Sequence, residues 1–161
     1  LLNYNGTEYK EQGRIEYTDI KGHFAEQQIM VLADNGIYLE GTEFKPDTEI
    51  IQLDFMSLLS KTLNYYGPSI TIKSSAKEID DMYAFLQREG IIKEGEKQPD
   101  KKVTREEAVK YLIRALKYDK VADISGIFNL QFKDKDAISP GLKGYVAIAA
   151  GLGIVKGGRK L

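Results

Sequence analysis

With 161 residues, 42% of them apolar and 29% charged, the chain is long enough for one compact domain or a tight set of small repeats. Its 23 basic and 24 acidic residues leave a net charge of −1, which excludes a strongly basic nucleic-acid binder and a polybasic membrane arm. There is no cysteine, and His23 is the sole histidine, so disulfides, thiolate nucleophiles and multi-histidine metal sites are excluded as well.

The chain opens Leu1-Leu2-Asn3, without Met or a signal peptide, so a piece of a longer protein is expected. No apolar run approaches the ~20 residues of a membrane span, so no membrane insertion is expected. Apolar periodicity predicts a first helix over about 23–35, carrying Ala25, Ile29, Leu32 and Ala33 and stopping at Asn35-Gly36. A second is expected over 51–64, with Phe55, Leu58, Leu59 and Leu63 on one face. A third follows over 76–89, with Ile79, Met82, Tyr83 and Leu86 facing inward and Gly90 as its stop. Thr104-Arg105-Glu106-Glu107 is a capping box and opens a fourth helix reaching Lys117. Ser139-Pro140 starts a fifth that runs to Ala150. Short extended pieces are expected at 70–72 and 128–132.

Three of these helices share one sequel, a glycine, two or three apolar residues and another glycine: Gly36 to Gly41, Gly90 to Gly95 and Gly153 to Gly157. Phe44-Lys45-Pro46-Asp47 follows the first and Gln98-Pro99-Asp100 the second, each leading into a helix. This is an internal repeat. In its register Ile50 matches Val103, Ile51 matches Thr104, Gln52 matches Arg105 and Asp54 matches Glu107. A third copy begins at Phe132-Lys133-Asp134 and has only its first half. The expected fold is all-α: helix-loop-helix units in a pseudo-threefold bundle with the third unit incomplete. The expected boundaries are 1–16 for an N-terminal extension, 17–67 for repeat 1, 68–123 for repeat 2 and 124–161 for partial repeat 3. Stacked copies bury a shared core, so the missing last helix should leave apolar surface exposed.

The ordered motifs resemble the S-layer homology (SLH) family of bacterial surface proteins. Tyr17-Thr18-Asp19, Gly22-His23-Phe24-Ala25, the Gly36–Gly41 loop and Phe44-Lys45-Pro46 match its pattern in the first copy, and Val103-Thr104-Arg105-Glu106-Glu107 in the second. Phe132-Lys133-Asp134, Ile138-Ser139 and Tyr145-Val146-Ala147 do so in the third. The resemblance implies a non-catalytic anchoring module at the cell wall, outside the cell. Such a module binds an acidic, pyruvyl-bearing secondary cell wall polysaccharide in Gram-positive-type envelopes. It also implies a binding role for the arginine of the fifth motif, which here is Arg105. That role suits the residue type, because a guanidinium grips a carboxylate through two parallel hydrogen bonds. Candidate carbohydrate contacts are Arg105, Gln52, Asp19, Asp134, Lys93, Lys156 and Tyr17. No catalytic residue, metal ligand or cofactor is expected: adjacent acids such as Glu106-Glu107 point apart on a helix, and His23 has no nucleophile beside it in sequence. The chain departs from the family pattern at Phe24, where tryptophan is usual, and at Gln52, which carries no charge. The alternative reading is a protein–protein assembly module with lost glycan binding, docking other copies of the chain through the incomplete third repeat.

Overall fold

The computed structural model describes residues 15–156. Most of the expected N-terminal extension and the last residues of the expected third repeat therefore lie outside the described residues. The described chain is helical: α1 (Glu26–Asp34), α2 (Gln52–Thr62), α3 (Ala76–Arg88), α4 (Arg105–Ala115), α5 (Asp119–Ala122) and α6 (Lys143–Gly151), with 3-10 turns at Lys135–Ala137 and Pro140–Leu142. Among the described residues the single β-type pairing is an antiparallel bridge between Ile51 and Lys102. The expected extended pieces at 70–72 and 128–132 form no ladder. They are irregular segments that each bury one apolar residue, Ile70 and Leu130. The chain divides into two compact units, Leu1–Thr48 and Glu49–Leu161, and the division falls inside the span expected for repeat 1.

The first unit is α1 over a small core of Tyr17, Ile20 and Ile29. Segment 17–19 laces the loop that follows the helix. The Tyr17 hydroxyl donates to the Leu39 carbonyl at 2.7 Å and accepts from the Leu39 amide at 3.0 Å. The helix begins at Glu26 rather than at His23, because residues 20–26 form successive turns and the His23 ring serves the entry: its Nδ1 accepts from the Ala25 amide.

The second unit has two cores. In one, α2 packs on α3 through Leu53, Met56, Met82 and Leu86, all 1% exposed or less. In the other, α4 packs on α6 through Val109, Ile113, Tyr145 and Ala149. Helix α4 belongs to both, since Tyr111 enters the first core while Val109 and Ile113 enter the second. The expected single apolar face on α2 is corrected too. Its buried face is Leu53, Met56, Ser57, Leu59 and Ser60, while Phe55 and Leu58 are only half-buried.

Gly36, Gly90 and Gly153 share one local geometry. Each follows a helix with φ between +75° and +79°, where a Cβ would be strained. Each is followed by an amide that reaches back to the end of the helix: Ile37 to Leu32, Ile91 to Leu86 and Ile154 to Ala149. The two helix starts paired in the sequence register have a like backbone. Ile51 and Thr104 are both N-caps with nearly identical backbones, φ/ψ −80°/158° and −74°/160°.

Candidate functional site

The start of α4 is built by its capping box. The Thr104 Oγ1 accepts from the Glu107 amide at 3.2 Å, and the Glu107 carboxylate accepts from the Thr104 amide at 2.9 Å. Glu107 also accepts from Lys101 Nζ at 2.5 Å. Partial burial pushes the Glu107 carboxyl up, but Lys101 and the Thr104 donors outweigh it and hold the group below its ordinary range. Lys102 pairs with Glu49. Glu106 leans the other way, taking the amide and hydroxyl of Ser139 at 3.0 and 2.6 Å.

Arg105, the first residue of α4, is left over from this pairing. It is exposed, and among the described residues no carboxylate or carbonyl pairs with its guanidinium. Nor do the amides of Arg105 and Glu106 meet a protein acceptor among them. An uncompensated guanidinium therefore stands beside two open donors at the positive end of a helix, an arrangement that can hold a carboxylate.

The other candidates are occupied to different degrees. Gln52 is 2% exposed and bonded entirely within the protein. Tyr17 is buried and holds Leu39. Asp19 accepts from the amides of Phe44 and Lys45 at 2.8 and 2.6 Å. Slight desolvation pushes its carboxyl up, and those two amides pull it below its ordinary value. Lys93 faces Asp123 at 3.5 Å. Asp134 stands before the 3-10 turn and accepts from the Ala137 amide through its backbone carbonyl. Lys156 is exposed just after Val155. His23 Nε2 meets Asp47 at 3.2 Å, a structural contact inside the first unit. The described residues contain no cluster of potential metal ligands, and no helix is long and apolar enough to cross a membrane.

Sequence reasoning missed a buried ionic junction. Arg114 is 5% exposed and donates through Nη1 to the Ile91 carbonyl at 2.9 Å and to Glu96 at 2.5 Å. Lys110 reaches the same carboxylate at 3.0 Å. Burial pushes Glu96 up, but Arg114, the Lys93 amide and Lys110 hold it down at about 2. The signal in the sequence is a cation three residues after Tyr111 and next to Ile113, on a face that ought to be apolar.

The family model of the S-layer homology domain matches residues 131–158. The chain carries an S-layer homology segment. The match falls within the span expected for the third repeat, and the SLH family is one of cell-surface anchoring domains, which puts the chain at the cell surface or wall. Among curated proteins, the chain is 29% identical to an amylopullulanase of Thermoanaerobacterium thermosulfurigenes over 97% of its own length and 9% of the relative's. It is 30% identical to exoglucanase XynX of Acetivibrio thermocellus over 89% of its length and 14% of the relative's. The chain thus spans a small fraction of these relatives.

Proposed function

We propose that this SLH chain is a non-catalytic anchoring module that binds an acidic, pyruvyl-bearing secondary cell wall polysaccharide, with Arg105 as the principal contact. The observation that carries the reading is the state of Arg105: exposed, without an acidic partner among the described residues, and next to open amide donors on α4. The 9% and 14% coverage of the relatives fits a module within larger proteins. Part of this reading is that 17–67, 68–123 and 124–161 are three repeats of a pseudo-threefold bundle, the third incomplete. Lys156, exposed at the end of its glycine loop, is a secondary candidate contact.

A second reading, assembly with other copies through the third repeat, draws on the exposure of Leu152 (49%) and Ile154 (43%) beside Gly153. Sedimentation with purified wall sacculi separates the two. The glycan reading expects retention by intact sacculi, loss on sacculi stripped of the secondary polymer, and retention weakened roughly tenfold or more in Arg105→Ala, the scale of a lost charged hydrogen-bond pair. Equal retention on stripped sacculi would contradict it and favour assembly.

A further inference from the structure

The strongest helix-on-helix packing of the second unit runs within pairs, α2 on α3 and α4 on α6. Between the pairs, α4 sets Tyr111, Leu112 and Ala115 against the first core. Much of the remaining join is polar and runs through loop 91–98, which is fastened in the first core by Ile91 and Ile92, both 3% exposed or less. Glu96 of this loop reaches two helices. Its carboxylate accepts from Arg114 Nη1 and Nη2 at 2.5 and 3.2 Å and from Lys110 Nζ at 3.0 Å, all on α4. Its backbone carbonyl accepts from Gln52 Nε2, on α2, at 2.9 Å. Arg114 also donates to the Ile91 carbonyl at 2.9 Å, and its guanidinium lies 5.8 Å from the ring centre of Tyr145 on α6. The guanidinium thus spans from the second core to the loop held in the first. Gln52 completes the circuit. Its Nε2 donates to the Tyr111 hydroxyl of α4 at 3.1 Å, and its Oε1 accepts from the Tyr83 hydroxyl of α3 at 3.0 Å and from the Gln98 amide at 2.7 Å. The amides of Gln52 and Leu53 donate to the carbonyls of Lys101 and Pro99 at 2.8 and 2.9 Å, so the turn over residues 98–101 lies on the start of α2.

We propose that the Gln52–Glu96–Arg114 network is a clasp that makes the two cores of the second unit open as one cooperative body rather than as two. Apolar contact tolerates sliding, whereas buried hydrogen bonds hold one geometry and cost heavily when a partner is lost. Without the clasp, α4 is held to the first core by three apolar side chains and the turn before it. The α2–α3 pair and the α4–α6 pair then become separate opening units.

Native-state hydrogen exchange of the 161-residue chain in low denaturant tests this. In the parent chain, the most protected amides of α2, α3, α4 and α6 should share one opening constant. In Arg114→Met, the α2–α3 set and the α4–α6 set should part by roughly tenfold or more, the scale expected when a buried pair loses one partner. A purely structural loss of stability would move all four helices together. If Arg114→Met does not fold, Glu96→Gln, which keeps the shape and removes the charge, takes its place, with the same split expected. Two separate constants in the parent chain, or a common shift or none in the variant, overturns the clasp.

Discussion

Arg114 shows how far a side chain's surroundings decide its role. The same residue type stands exposed at the start of α4 as Arg105 and is a buried strut nine residues later. Removing one partner of a buried pair leaves the other charge uncompensated and costs about 3–5 kcal/mol. Arg114→Met should therefore lower the stability of the second unit far more than Arg105→Ala, as chemical denaturation would read out. The junction also predicts a pH dependence. The folded chain keeps Glu96 ionised down to about pH 2, whereas an unfolded chain protonates it near its ordinary 4.5. On acidification the unfolded state takes up the proton first, so stability present above 4.5 drains away between those values, by roughly 2–3 kcal/mol. Glu96→Gln should flatten that acid limb, and an unchanged limb would show that Glu96 is not its source. Neither Arg114 nor Gln52 declares its role in the sequence. The carbonyls and hydroxyls that hold them come from residues 23 to 59 positions away, and residue type alone supplied only the capacity to bond.

At the scale of the element, local signals were legible and packing direction was not. The capping box at Thr104 forms as its spacing demands, and an unforeseen one at Ser75 and Glu78 starts α3 in the same way. The fifth predicted helix is displaced: Ser139-Pro140 opens a 3-10 turn, and α6 follows from Lys143. Gly144 explains a glycine inside that helix. A Cβ there would lie 2.0 Å from the Ala122 carbonyl of α5 and 2.9 Å from the Phe128 ring. Helix propensity alone would make Gly144→Ala stabilising by about 1 kcal/mol. The close approach of α5 reverses the sign, and thermal melting should show a lower transition for this variant. A raised transition would mean that α5 does not rest on α6. Helix α4 has two cores to serve, and a single-face apolar pattern cannot encode both.

Across the described residues, the like geometry of Gly36, Gly90 and Gly153 was readable in the sequence, but the partnership of the helices was not. Helix α2 lies in the span expected for repeat 1 and packs on α3 from the span of repeat 2. Helix α4, in the span expected for repeat 2, packs on α6 in the span expected for repeat 3. Periodicity marks which residues want burial and says nothing of which copy's helix buries them. The turn after Gln98 lies over the start of α2, whereas among the described residues the amides of Arg105 and Glu106 meet no protein acceptor. A two-dimensional amide NMR titration with a pyruvylated hexosaminide reads that difference directly. The account predicts that the largest shifts fall on the amides of Thr104, Arg105 and Glu106 and spare Gln52 and Leu53. Shifts centred on α2, or none at the start of α4, would contradict it.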